Sequence, residues 1–216
     1  MEHTFDEAWV EQIESTQVYK HDARSRVWRI DAPDGHSFVV KRFEYNPVRQ
    51  ALAAALGIHP GQRECRMARR LIRSDVPVIP IVASGYLRSR LGIKFWLATP
   101  HRGISLHNLF HHQELSDVQR RAGVIDAALD LTNLLSSKRY YNRDHKASNI
   151  IIDDQDRPWL IDVGAVRRSR NLYLACKMIV KLGQTLCEAG ATEDDWAQAC
   201  RKHGIDPNPT KATEPC

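Results

Sequence analysis

Several common patterns are missing from the 216-residue chain, and each absence removes a class of protein. The five cysteines (Cys65, Cys176, Cys187, Cys200 and Cys216) are odd in number, scattered and never in a CxxC arrangement. Neither a disulfide framework nor a zinc site is therefore expected, and a reducing cytoplasm fits best. No stretch approaches the roughly 18 consecutive apolar residues that span a bilayer. The opening Met1-Glu2-His3-Thr4-Phe5-Asp6 lacks the basic and apolar regions of a signal peptide, so export is not expected. There is no internal repeat and no low-complexity tract.

What is present is ordinary globular material, with 43% hydrophobic and 26% charged residues, enough to build a sizeable core. The length favours one compact unit with two lobes. The net charge of +5 is unevenly spread. Arginines gather at Arg63, Arg66, Arg69, Arg70 and Arg73, which reads as a solvated basic helix face, and again at Arg167, Arg168 and Arg170. Anionic partners are favoured; a nucleic acid is not indicated.

Residues 15–20, 26–30 and 36–43 read as three strands, the last two joined by Pro33-Asp34-Gly35, which predicts an N-terminal antiparallel sheet. Helical patterns follow at 51–56, ending at Gly57, and from Pro60, a first-turn proline. Residues 78–86 and 93–99 are β-rich. Pro100 and Gly103 mark a connector before a short helix at 106–110. Ser116 is placed to cap a long helix with Val118, Ala122, Ile125 and Leu129 on one face, running to about residue 136. A hairpin at 150–161 and two helices near 171–188 and 193–203 complete the expectation. It is an α+β fold with an N-terminal lobe over about 1–100, a mostly helical C-terminal lobe over about 101–206, and a tail at 207–216.

Chemistry concentrates in Asn142-Arg143-Asp144-His145-Lys146-Ala147-Ser148-Asn149, followed by the hairpin and Asp162-Val163-Gly164. If Ile152 pairs with Trp159 across a turn at 153–158, the antiparallel register sets Asn149 opposite Asp162. An amide oxygen and a carboxylate at one end of a hairpin suit a hard cation such as Mg²⁺, which takes a few protein oxygens together with phosphates and water. Asp144, just before, can accept a proton from an attacking hydroxyl, and Lys146 supplies positive charge beside it.

These residues resemble the protein-kinase signature H-R-D-L-x-x-x-N followed by D-F-G, reproducing its Arg, Asp, Asn, Asp and Gly in order. The resemblance implies a protein-kinase-like fold, ATP and Mg²⁺ as cofactors, Asp144 as catalytic base, and Asn149 and Asp162 as metal ligands. It also implies a strand lysine and a helix glutamate. Val39-Val40-Lys41-Arg42-Phe43 looks like the V-A-I-K strand, with Lys41 for the α- and β-phosphates. Glu64, on a helix face with Ala68, Leu71 and Ile72, is its natural partner.

The charged helix followed by Asp75-Val76-Pro77-Val78-Ile79-Pro80, with the short C-terminal region, resembles the bacterial lipopolysaccharide core (Kdo and heptose) kinases over roughly residues 16–203. Small atypical kinases of the RIO and KEOPS-complex types are close competitors. The implied activity is transfer of the γ-phosphate of ATP to a hydroxyl of a lipopolysaccharide-type sugar, in the cytoplasm, with peripheral contact at the inner membrane surface allowed. An atypical serine/threonine protein kinase and a nucleotide-binding pseudokinase are the alternatives.

The pattern departs from the family in four places. Lys20-His21-Asp22-Ala23-Arg24-Ser25-Arg26 stands where a glycine-rich loop is usual. Asn142 and Val163 replace the usual histidine and phenylalanine, and no A-P-E follows Gly164. Arg24 or Arg26 is a candidate side-chain substitute for the missing backbone donors, and a surface loop with salt bridges is the equal alternative. Arg167, Arg168 and Arg170 are candidates to meet an anionic acceptor. His107 and His111 sit four residues apart on a helix, but no H-E-x-x-H motif is completed, so exposed histidines are expected. Trp28, Trp96 and Trp159 read as core.

Overall fold

The computed structural model describes residues 10, 17–90, 92–112, 115, 117–171 and 173–207. The chain forms two compact units, one built from Met1–Arg70 with Ile79–His101 and the other from Leu71–Val78 with Arg102–Cys216. The class is α+β, with an antiparallel sheet in the N-terminal part and a largely helical C-terminal part.

In the first unit five strands lie in the order β1-β2-β3-β5-β4: β1 (Gln17–His21), β2 (Ser25–Asp31), β3 (Ser37–Phe43), β4 (Ala83–Ser89) and β5 (Gly92–Pro100). Alternation sorts their side chains. Trp28, Ile30 and Val40 join Trp96 and Ala98 in one apolar cluster, while Phe43, Phe95 and Leu97 join Cys65 in another. β5 is buried at four consecutive positions, Phe95 to Ala98, as a strand covered on both faces must be. The expected strand at 78–86 starts five residues late, at Ala83. Pro77 and Pro80 remove ladder donors there, and Val78 makes only an isolated parallel bridge to Leu160.

Helices α1 (Pro47–Ala55) and α2 (Pro60–Ile72) follow β3. Their seat is a buried polar knot. The Gln50 side-chain amide donates to the carbonyls of Phe43 (3.0 Å) and Tyr45 (2.6 Å), and its oxygen accepts from the Phe95 amide at 2.9 Å. His59 Nδ1 accepts from the Gly61 amide, so its Nε2–H faces Gln50, and burial pushes the ring's pKa down to about 4. Gly61 is obligatory because a Cβ there would lie 2.1 Å from the Phe95 ring. That close approach fixes α2 against the sheet.

The second unit contains α3 (Leu106–His111), α4 (Val118–Ser137), α5 (Tyr173–Glu188) and α6 (Glu193–Lys202). α4 buries Val124, Ile125, Ala128, Leu129, Leu131 and Leu135, and α5 buries Met178, Ile179, Leu182 and Leu186. Val118, expected on the core face, is exposed, and Asp117 is the N-cap, its carboxylate accepting from the Gln119 amide. Ser116 lies outside the described residues. Trp28 and Trp96 are core, but Trp159 is only half-buried, donating Nε1–H to Asp153 at 2.9 Å beneath the Arg102 guanidinium. Cys65, Cys187 and Cys200 are free thiols, whereas Cys176 is disulfide-bonded, which corrects the expectation drawn from the scattered cysteines.

Short strands complete this unit: β6 (Ile104–Ser105), β7 (Tyr140–Asn142), β8 (Ile150–Ile152), β9 (Pro158–Leu160) and β10 (Val166–Arg168). β8 and β9 form the hairpin, and Asp153 locks its turn. One carboxylate oxygen accepts from the amides of Gln155 and Arg157, and the other from Arg157 Nε and Trp159 Nε1. Although burial of Asp153 opposes ionisation, these donors hold its pKa at about 2. Asp153→Ala is expected to lower stability by about 2–3 kcal/mol, because hydrogen bonds to a buried charged acceptor are lost. Urea unfolding checks it. The wild-type contribution, from a depressed carboxyl, is present above the ordinary aspartate range and is lost as pH falls toward 2.

Candidate active site

The segment between β7 and β8 is held from both sides by helices. Asn142, fully buried at the end of β7, accepts the Asp144 amide on its side-chain oxygen at 3.1 Å. α5 presents Met178, Lys181 and Thr185 to this loop, spaced three and four apart on one face. Met178 Sδ accepts from the Asn142 amide at 3.2 Å, and Thr185 Oγ1 accepts from the Ala147 amide at 2.9 Å. Lys181 Nζ donates to Asp144 Oδ1 at 3.1 Å and to the Arg143 carbonyl at 3.3 Å. On the α4 side, His145 is buried against Thr132. The Thr132 hydroxyl donates to the Ala128 carbonyl, so His145 Nε2–H donates to Thr132 Oγ1 at 2.8 Å. Burial, aided by the Lys181 charge, lowers the ring's pKa to about 4, and His145 is therefore neutral at neutral pH.

Asp144 is the focus of this scaffold. Its carboxylate is about one-third exposed and lies between two lysines, with Lys146 Nζ 3.0 Å from Oδ2 and Lys181 Nζ 3.1 Å from Oδ1. Asn149 Nδ2 donates both to Asp144 Oδ2 (3.1 Å) and to the Asp144 carbonyl (2.8 Å). Partial burial pushes the carboxyl upward, but the hydrogen bonds from Lys146 and Lys181 outweigh it and the net shift is downward. The group is thus an ionised, oriented acceptor with an accessible face. If it serves as a base, activity is lost as pH falls through this depressed pKa. Lys181→Met removes one of the two cations, raises the pKa and is expected to move the acidic limb of the rate profile to higher pH. A pH–rate profile of the variant measures that displacement.

The hairpin register differs from the expected one by a residue. Ile150 pairs with Leu160, Ile151 with Trp159 and Ile152 with Pro158, and the Ile161 amide donates to the Asn149 carbonyl at 3.0 Å. Asn149 therefore stands opposite Ile161, not Asp162. The cause is the turn. Asp156 adopts φ 57°, so a three-residue loop closes between Asp153 and Arg157, shorter than the loop assumed from sequence. Asp162 is the next residue along and is itself left-handed, with φ 51° and ψ 48°. For a non-glycine residue this conformation is uncommon and is found preferentially at asparagine and aspartate. It turns the chain out of β9 into the 3₁₀ turn Val163–Ala165 and leaves Asp162 exposed.

Among the described residues no group of three or more His, Cys, Asp or Glu side chains gathers as a metal site, and His107 and His111 merely stack their rings 5.7 Å apart. The oxygen donors that the hairpin itself brings near its end are the Asp162 carboxylate and the Asn149 amide oxygen, with the Asp144 carboxylate bonded to Asn149 beside them. That set is too small to cage a cation alone. It fits a Mg²⁺ ion that retains water and takes phosphate oxygens from a ligand.

In the first unit, Lys41 on β3 and Glu64 on α2 form an ion pair at 2.9 Å, with side chains 17% and 8% exposed. Of the helix face expected around Glu64, Ala68 and Leu71 are buried and Ile72 is exposed. The β1–β2 turn is tight. Asp22 Oδ1 accepts from the amides of Arg24 (2.9 Å) and Ser25 (2.8 Å), and the carboxyl's pKa is held near 2 by hydrogen bonds from Lys20, Ser25 and Arg24. An aspartate thus occupies backbone donors that a glycine-rich loop would offer to phosphate. Arg26 lies over the Trp28 ring, 5.3 Å from its centroid.

Lys181, Thr185 and Met178 were not singled out from the sequence. Their only signal was the three- and four-residue spacing of polar and apolar groups within a helix, which core packing produces equally well. No described helix is long and apolar enough to cross a membrane. No protein-family model matches the chain, and no curated protein matches it.

Proposed function

We propose that the chain is an ATP- and Mg²⁺-dependent phosphotransferase of the protein-kinase-like fold, transferring the γ-phosphate of ATP to a hydroxyl of a lipopolysaccharide-type sugar. The observation that carries this reading is the Asp144 carboxylate, ionised between Lys146 and Lys181 and bonded to Asn149, whose strand partner directly precedes Asp162.

In this reading Asp144 takes the proton of the attacking hydroxyl. The hydroxyl oxygen bonds to the γ-phosphorus as the bond to the β-phosphate oxygen breaks, and ADP leaves with the electron pair. Lys146 lies beside Asp144 and stabilises negative charge that develops near it. Asn149 and Asp162 would hold Mg²⁺, which when bound neutralises charge on the phosphates. Lys41, kept in place by Glu64, serves the α- and β-phosphates.

The β1–β2 turn favours a second reading, a nucleotide-binding pseudokinase, because Asp22 already uses the Arg24 and Ser25 amides. The two are separated by incubating the chain with Mg²⁺ and γ-labelled ATP, offering lipopolysaccharide core sugars in one arm and a protein extract in another. Label in the sugar fraction is the expected result. Label in protein alone would instead indicate a serine/threonine kinase, and label in neither, with ATP bound, a pseudokinase.

A further inference from the structure

The second unit carries a cavity of about 350 Å³ that shares no residue with the Asp144 centre. It lies at the opposite end of the β7–β10 ribbon. Val166 pairs with Asn142 at the catalytic-loop end, and Arg168 pairs with Tyr140 at the cavity end. Its polar lining is Ser136 from the last turn of α4, Arg139, Tyr141, and the run Ser169, Arg170 and Asn171 that leads into α5.

None of the lining residues is acidic, and the sequence holds no Asp or Glu from Leu131 to Arg143 or from Val163 to Cys187. Arg139 and Arg170 thus both line the cavity, and neither of the segments that carry them contains a carboxylate. Arginine's planar donor fork suits phosphate oxygens. The first turn of α5 also lines the cavity, through Leu174 and Ala175, adding the positive end of a 16-residue helix. The Ser169 amide donates to the Arg139 carbonyl at 2.9 Å, which ties the two arginine-bearing segments together.

Arg139 bears on the choice of ligand. It directly follows the C-cap of α4 with φ 61°, a position where glycine is the relaxed residue and a long side chain is strained. Local structure does not ask for arginine there. The volume is at the lower end of small-molecule pockets and exceeds what a bare phosphate fills. We infer that this cavity binds a small phosphate monoester of sugar size, its phosphoryl group held by Arg139 and Arg170 and its hydroxyls by the serine and asparagine side chains.

The test is calorimetric titration of the full chain with a hexose 6-phosphate, with inorganic phosphate and with the uncharged hexose. The expected result is saturable binding of the ester, weaker binding of phosphate and none of the hexose. Arg170→Ala is expected to weaken the ester about tenfold or more, as for loss of a charged hydrogen-bonding partner. Arg139→Gly should weaken it similarly while raising Tm by about 2–4 °C, because glycine relieves the left-handed backbone. That divergence is not expected of a purely structural arginine. Absence of saturable ester binding, binding unchanged in both variants, or phosphate binding as tightly as the ester would each overturn the proposal.

Discussion

Asp144→Ala is expected to lower kcat for phosphoryl transfer by about 10²–10⁴-fold, the usual contribution of a positioned general base, with little change in KM for ATP. The fold should survive. The Asp144 side chain is about one-third exposed, and the lysines left behind, Lys146 and Lys181, are 35% and 41% exposed, so solvent screens their unpaired charge. Asp144→Asn is the sharper variant. It preserves volume and one acceptor oxygen, for Lys181 or for Lys146, but cannot take a proton, so a loss matching that of alanine would point to proton transfer more than to side-chain volume. Steady-state kinetics paired with a thermal melt makes the comparison.

The Lys41–Glu64 pair should respond in the opposite way, through stability as well as rate. Glu64 is almost fully buried, and Lys41→Met leaves its carboxylate without this cation. Breaking a buried pair by removing one partner costs about 3–5 kcal/mol, whereas replacing both by apolar groups of similar size is close to neutral. The double variant Lys41→Met with Glu64→Leu is therefore expected to recover most of the stability lost by the single one. Transfer should not recover if Lys41 serves the phosphates as proposed. Denaturant unfolding of the three proteins, set beside their rates, reads both effects. Recovery of activity in the double variant would mean that Lys41 acts only as a structural counter-ion.

Much of the first unit was legible because its strands are five to nine residues long, and β2 and β3 bury residues at two-residue spacing. Period-two patterning needs that length to show. Lys41 and Glu64 could be paired in advance because a lone acid on an apolar helix face requires a cation. The second unit was harder for the same physical reason. β7 and β10 are three residues each, too short to alternate visibly, yet their pairing joins the start of the Asp144 loop to the segments that line the cavity.

The one-residue register error came from Asp156. Its left-handed backbone closes a shorter loop than the run of polar residues suggested. Similarly, the second lysine on Asp144 was invisible because Lys181 is distant in sequence and looks like any solvent-facing helix residue. Contacts of that kind are decided by tertiary packing, which local pattern does not encode.

The most direct measurement is ³¹P NMR of the chain with ATP, with and without Mg²⁺, over a panel of sugar and protein hydroxyl acceptors. It follows the γ-phosphate wherever it goes, to sugar, protein or water. The expected result is Mg²⁺-dependent disappearance of the γ signal with appearance of a phosphate monoester and ADP, abolished in Asp144→Ala. Intact ATP throughout the panel, or an equal rate in Asp144→Ala, would contradict a phosphoryl-transfer centre at Asp144, Asn149 and Asp162.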